Sequence, residues 1–317
     1  MGYFSRWMVV AVSIALVSCS KSEGPPIAGD YPLKQLTDRV YIVNGPNEEP
    51  NKKNRGFMNN PAFVLTSKGV VVIDPGSSLQ VGRMLLEKIA KTTPSPVIAV
   101  FNTHIHGDHW LGNQAIHDVY PNAVIYAHPN MIAKAEAEGE TWLKTMLTLT
   151  AGATMGTRLV LPSSALENND MLRLGDRHFR IYHNDKAHTD GDLMVEVVEE
   201  KLMFLGDIVM AQRVPRLDDG DFKGNIAAID MALKSKAVLF VPGHGQSGGR
   251  EVPLAYRAFL STLYGSVKKY YARGLSDYDM KDMVSKDLAA YHQWALFDTN
   301  LGRLVSLAYL QVEAESF

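Results

Sequence analysis

Eight consecutive residues, Thr103-His104-Ile105-His106-Gly107-Asp108-His109-Trp110, carry three imidazoles and a carboxylate. Histidines at i and i+2 of an extended stretch project to the same side of the backbone, so His104 and His106 can bind one ion together. Asp108 and His109 lie just beyond, where the chain turns, and can face a second ion. Zinc accepts imidazole with carboxylate, and its catalytic sites keep a position for water. Four ligands from one loop cannot complete two sites, so others must come from distant sequence. Three candidates sit at the ends of apolar runs beside glycine. His188 lies in Ala187-His188-Thr189-Asp190-Gly191-Asp192, Asp207 in Phe204-Leu205-Gly206-Asp207, and His244 in Val241-Pro242-Gly243-His244-Gly245. The other histidines, His117, His128, His178, His183 and His292, fit no such slot and read as surface or core residues. Asp190 and Asp192 read as shaping the His188 loop.

The elements that must position these residues follow from hydrophobic patterning. Val40 to Val43 reads as a strand, and Asn44 to Asn60 as a polar loop broken by Gly and Pro. Ala62 to Thr66 and Val70 to Asp74 form a hairpin of buried strands around Ser67-Lys68-Gly69. Leu79 to Lys91 has helical spacing. Val97 to Phe101 is a buried strand that delivers the His cluster at its C-terminal end, where ligands gather in layered α/β folds. A strand at Ala123 to Tyr126 precedes a mostly helical stretch, Pro129 to Met155, that reads either as a lid over a site or as plain packing. Further strands are expected at Met171 to Leu174, His178 to Tyr182, Leu193 to Val198, Leu202 to Leu205 and Ala237 to Val241. A helix spans Asn225 to Lys236, and the chain turns almost wholly helical from Val252. Two successive strand-then-helix halves predict a layered α/β sandwich.

The 317 residues are 46% hydrophobic and 21% charged, ordinary for a globular protein with a large core. A net charge of -2 and the lack of a Lys/Arg stripe argue against a nucleic-acid partner. Trp7 to Val17 is apolar and too short to span a bilayer as a helix, which suits a secretory signal. Leu16-Val17-Ser18-Cys19 resembles the lipobox of bacterial lipoproteins, whose cysteine is acylated and becomes the new N-terminus. Cys19 is the only cysteine, so no internal disulfide framework exists. Several acyl chains imply a stable membrane anchor. Ser20 after the cysteine favours the outer membrane, on its periplasmic side. The expected organisation is a signal peptide over 1–18, a Gly/Pro/Ser-rich tether over 19–36, a catalytic domain over 37–250 and a helical extension over 251–317.

The pattern His-x-His-x-Asp-His, then separate His, Asp and His, with Asp74 in an early Ile-Asp-Pro-Gly, resembles the metallo-β-lactamase superfamily over roughly residues 37 to 250. The resemblance implies the αββα sandwich of that superfamily, here with a C-terminal helical extension. It implies two zinc ions per chain, one on His104, His106 and His188, the other on Asp108, His109 and His244, with Asp207 bridging. Iron and manganese are also compatible with these ligands. Asp74 is implied to brace the motif loop by hydrogen bonds. The implied chemistry is attack of a metal-bridging hydroxide on a small carbonyl substrate, an ester, thioester, lactone or amide, with Asp108 as the catalytic proton acceptor. Metallo-β-lactamases proper usually carry Cys or Ser at the slot of Asp207, so a β-lactam is the alternative substrate. The C-terminal helices lack the basic and tyrosine pattern of glutathione recognition. Lys186 and Arg213, the cations nearest the ligand loops, are candidates to hold a substrate carboxylate.

A narrower resemblance is carried by Gly206-Asp207-Ile208-Val209, Arg213-Val214-Pro215, Leu217-Asp218, Gly220 and Pro242-Gly243-His244-Gly245, and later by Trp294, Leu296-Phe297, Asn300, Tyr309-Leu310 and Glu313. These resemble the SoxH-like group, the quinoprotein relay system zinc metallohydrolases. That group is exported and linked to periplasmic oxidation systems. It implies a periplasmic quinoprotein system as partner, and it admits an alternative role as a metal-dependent accessory protein. A persulfide dioxygenase would require a single iron.

Overall fold

A computed structural model describes residues 23–316. The signal peptide and Cys19 expected from the sequence lie outside the described residues.

Two sheets form the centre. The first runs β1 (Leu33–Gln35), β2 (Val40–Val43), β3 (Ala62–Thr66), β4 (Gly69–Ile73), β5 (Val97–Phe101), β6 (Val124–Ala127) and β7 (Ser164–Ala165), paired in that order. The second contains β8 (Met171–Leu174), β9 (Arg177–Tyr182), β10 (Met194–Val197), β11 (Leu202–Met210) and β12 (Leu239–His244), with β12 and β8 at its edges. Both sheets are mixed. Antiparallel pairing gives way to parallel from β4 to β7, and again between β11 and β12. The helices are α1 (Leu79–Thr92), α2 (Gly107–Trp110), α3 (Asn113–Val119), α4 (Pro129–Leu149), α5 (Phe222–Lys234), α6 (Glu251–Tyr271), α7 (Asp277–Asp287) and α8 (Phe297–Ala314).

Strand periodicity decides the layering, because alternate side chains face opposite sides of a sheet. Val64, Val71, Ile73, Ala99 and Phe101 point into a shared core with Phe179, Ile181, Val195, Val197, Leu202 and Phe204 of the second sheet. Their neighbours Phe63, Val70, Val72 and Val100 point outward, onto Val81, Leu85 and Ile89 of α1 and Ile116 of α3. On the far side Met194, Met203 and Leu205 meet α5, α6, α7 and α8 in one apolar cluster. The result is helices, sheet, sheet, helices, the αββα sandwich with C-terminal helices added. Among the described residues, no helix is long and apolar enough to cross a membrane.

Three strands differ most from the patterning. Leu33–Gln35, within the stretch read as tether, pairs antiparallel with β2. A three-residue strand with Lys34 and Gln35 exposed shows no apolar alternation, so patterning missed it. The two-residue β7 was missed for the same reason. β11 was expected to end at Leu205 but runs to Met210, with register shifts around Gly206. The Gly206-Asp207 pair interrupts the apolar run without ending the strand, because a bulge absorbs it.

Helix α4 begins at Pro129, and His128 is its N-cap: the ring Nδ1 accepts from the Asn130 N–H at 3.2 Å. Burial, aided by the stacked ring of His183 at 3.8 Å, pushes the His128 imidazole down from 6.5 to about 4. A base with a lowered folded pKa adds stability above its unfolded pKa and loses it as pH falls through that window. The unfolding midpoint of the full chain is therefore expected to drop between pH 6.5 and 4. His128→Asn, which keeps a capping acceptor that does not titrate, should flatten that part of the profile; the cap itself is worth about 1 kcal/mol. Parallel profiles for the two proteins would contradict the assignment.

Candidate metal centre

The cluster sits where parallel strands end. β5 finishes at Phe101, and the next residues lead directly into the His loop and α2. His104, His106, His188 and Asp207 offer ligand atoms that all lie within 4.8 Å of one another, as do Asp108, His109 and His244. These are the two groups implied by the resemblance. Asp207 reaches across both: its Oδ1 lies 3.2 Å from His109 Nε2, and its Oδ2 lies 3.3 Å from His244 Nε2, 3.6 Å from His188 Nε2 and 3.8 Å from His104 Nε2. Asp108 Oδ2 stands 3.2 Å from His244 Nε2 and 3.4 Å from His109 Nε2. His106 Nδ1 and His188 Nε2 face each other at 2.9 Å.

The outer nitrogens of His104, His106, His109 and His244 are tied down, which aims the inner ones. Asp74 does most of this. Its Oδ1 accepts from the Thr103 N–H at 2.8 Å, while Oδ2 accepts from the Thr103 hydroxyl at 2.7 Å and meets His109 Nδ1 at 2.9 Å. Since the Thr103 hydroxyl donates to Asp74, it is free to accept from His104 Nδ1, 3.0 Å away. One carboxylate thus orients two ligands. Asp74 holds this place with φ of +47°, a left-handed conformation that Asp adopts more readily than most residues. His244 Nδ1 donates to the Met58 carbonyl at 2.9 Å, and His106 Nε2 contacts Asp219 Oδ2 at 3.2 Å. Asp192 holds the His188 loop by accepting from the Thr189 N–H and hydroxyl, both at 2.7 Å. Gly243 is required: a Cβ there would fall 1.9 Å from Asp207 Oδ1.

What remains inside is a set of ligand atoms with no partner. His104 Nε2, His109 Nε2 and Asp207 Oδ1 are buried and make no hydrogen bond; His188 faces the cluster through Nε2, and its outer nitrogen Nδ1 is buried and unpaired as well. Buried polar atoms left unsatisfied are costly, so such a cluster fits divalent ions. Five imidazoles and two carboxylates also match borderline metals such as zinc. Protons respond to the same field. Burial opposes charge on His109, yet Asp207, Asp108 and Asp74 raise it well above the ordinary histidine range. His244 is raised by Asp207 against burial in the same way. Burial also opposes ionisation of Asp108 and Asp207, but their imidazole neighbours hold both carboxyls well below the usual range. Burial pushes His104 well down, and it takes His188, beside His106, to about 3.

A cavity of about 290 Å³ opens onto this centre. His106, Asp108, His188, Asp207 and His244 form its floor, and Trp142, Met146, Leu149, Met58 and Met210 form apolar walls. The α4 segment, read as lid or packing, is therefore a wall of the site, with the Trp142 ring 5.2 Å from that of His106. Arg213 lines the cavity but is buried, donating to the Glu48 carbonyl at 3.0 Å and to Glu49 at 3.4 Å. Its charge is engaged by the 44–60 loop. Lys186 is exposed and stands outside the cavity lining, so it is not placed to hold a substrate there. Asp219, Thr103 and Trp142 were not singled out from sequence. Asp219 lies between Leu217-Asp218 and Gly220, which carry the narrower resemblance, but nothing in its own spacing singles it out.

A sequence model of the metallo-beta-lactamase superfamily matches residues 55–244, and the chain belongs to that superfamily. It is 27% identical over 245 residues to the acyl-coenzyme A thioesterase MBLAC2 of Bos taurus, covering 70% of this chain and 83% of that one. Among solved structures, a metallo-beta-lactamase from Pontibacter korlensis superposes with a TM-score of 0.60 at 20% identity, covering 73% of this chain and 99% of that chain. The inverting sec-alkylsulfatase Pisa1 from Pseudomonas sp. gives 0.68 at 14% identity, covering 89% of this chain and 50% of that one. Both likenesses show the fold.

Two outcomes are expected from this geometry. Metal uptake must displace protons from His109 and His244, so calorimetry in buffers of different ionisation enthalpy should register proton release near neutrality, with affinity weakening as pH falls. Asp74→Asn should weaken metal binding by about 10–100-fold, because the brace acts through two ligands. Unchanged affinity in that variant would show that Asp74 does not orient them.

Proposed function

We propose that the chain is an exported, lipid-anchored dinuclear zinc hydrolase of the SoxH-like group, acting on a small ester or thioester. One observation carries this reading: a single carboxylate, Asp207, lies within reach of both ligand groups at the floor of a cavity with apolar walls. The thioesterase relative supports a carbonyl substrate with a thiol leaving group. The periplasmic side of the outer membrane and a quinoprotein system as partner come from the lipobox-like tetrad ending at Cys19 and the narrower resemblance.

The site residues would hold one ion on His104, His106, His188 and Asp207 and another on Asp108, His109 and His244, with Asp207 shared. When bound, such ions acidify water and polarise carbonyl oxygens. The protein supplies the rest. Trp142, Met146, Leu149, Met58 and Met210 receive the apolar acyl part and exclude bulk water around it. Asp108, ionised and facing the cavity, takes a proton as water oxygen adds to the carbonyl carbon. The bond to the leaving sulfur or oxygen then breaks, and the proton passes to that atom, giving a carboxylic acid and a thiol or alcohol.

The test is a panel of acyl thioester, ester, lactone, amide and chromogenic cephalosporin, offered to the metal-loaded full-length protein. Turnover of thioester or ester is expected, and Asp108→Asn should lower kcat by about 10²–10⁴-fold with metal content measured alongside. No turnover of any carbonyl substrate would overturn the assignment, and turnover confined to the cephalosporin would make it a β-lactam hydrolase.

A further inference from the structure

Glu23 and Gly24 pack beside the turn that follows α4. Glu23 pairs with Arg83, and the Gly24 N–H donates to the Met155 carbonyl at 2.8 Å. Gln80 Nε2 donates to that same carbonyl at 2.9 Å, so α1 and Gly24 both meet the 153–156 turn there. This turn follows directly from the end of α4, where the Gly152 N–H donates to the Leu147 carbonyl at 2.8 Å. Leu147 and Leu149, at that end of the helix, are 39% and 47% exposed.

These leucines are not isolated on a polar surface. Leu149 lines the metal-site cavity. Leu147 lines a second hollow with Leu111, Leu143 and Met146, and Met146 is shared between the two. The last turn of α4 thus puts apolar side chains on the border of both openings, which carry charged residues elsewhere in their linings, Glu138 and Arg216 in one and Glu140 and Lys144 in the other.

Chain length then limits where an anchor can lie. Cys19 precedes Glu23 by four residues, and four residues span at most about 14 Å when fully extended. An acyl group on Cys19 must therefore enter a bilayer close to this edge. We propose that the α4 edge carrying Leu147 and Leu149 is the face the protein lays on the lipid surface, turning the mouth of the metal-site cavity toward it. The proposal rests on the lipid-anchored reading of Cys19. Apolar side chains that cost nothing to a soluble protein singly become a docking surface when an anchor holds them at an interface.

The experiment uses the full-length acylated protein in vesicles of phosphatidylethanolamine and phosphatidylglycerol. Cys19 is the only native cysteine, and acylation removes its thiol, so a cysteine introduced by Leu147→Cys, Leu149→Cys, Val238→Cys or Tyr278→Cys takes a thiol-reactive environment-sensitive fluorophore alone. Val238 and Tyr278 are exposed at 60% and 86% on the β12 and α7 side. Labels at 147 and 149 are expected to shift to the blue and to be quenched by lipids brominated in the acyl chain, while labels at 238 and 278 are not. Circular dichroism of each labelled protein establishes that it is folded. Equal quenching at all four positions, or none at 147 and 149 in protein that sediments with the vesicles, overturns the docking face and leaves the anchor standing. Wild type and Cys19→Ala that both stay in the supernatant would overturn the anchor and the docking face together.

Discussion

Five imidazoles and two carboxylates are pressed into one buried pit, and they cannot all satisfy one another. Asp207 is the centre of that constraint. Its two oxygens lie between 3.2 and 3.8 Å from four different histidine nitrogens. Much of the surrounding structure keeps this arrangement in place. The bulge in β11 brings Asp207 into the pit, and Gly243 on the adjacent β12 leaves room for its carboxylate. The Asp74 brace costs an unfavourable backbone conformation, which three contacts to Thr103 and His109 over-determine.

The two sheets make this possible by ending at the same place. The first sheet supplies the His loop after β5, and the second supplies Asp207 from β11 and His244 from the end of β12. A dry core of alternating Val, Ile, Phe and Leu fixes the sheets face to face, and interiors packed in this way do not shift by a fraction of a side chain without loss. Ligands drawn from residues 104 to 244 can therefore hold ångström-level positions. The C-terminal helices bury the outer face of the second sheet and so stiffen the strands that carry Asp207 and His244.

Much of this was legible in the sequence, for a physical reason. Candidate metal ligands must be particular residue types, and His104, His106, Asp108 and His109 fall within one short loop where spacing speaks. The long buried strands were equally plain, because β3, β4 and β5 are unbroken apolar runs. What escaped was what has no periodicity or no required residue type. β1 and β7 are too short to alternate. Asp207 itself was legible, but the continuation of β11 past Leu205 was not, because Gly206-Asp207 interrupts the strand's pattern. Asp219 and Trp142 reach the site only through tertiary folding. Arg213 looked available by charge alone, but the 44–60 loop supplies its partners, and Lys186 is near His188 in sequence yet points the chain's charge to the exterior.

Asp207 stands between two groups that could each hold an ion. The most direct test of that arrangement is the number of divalent ions bound per chain, by elemental analysis and calorimetric titration of the full-length protein, for wild type and for Asp207→Ala. Two ions per wild-type chain, with a marked loss of affinity for both in the variant, is the expected result. A wild-type chain that saturates with one ion or none would contradict it.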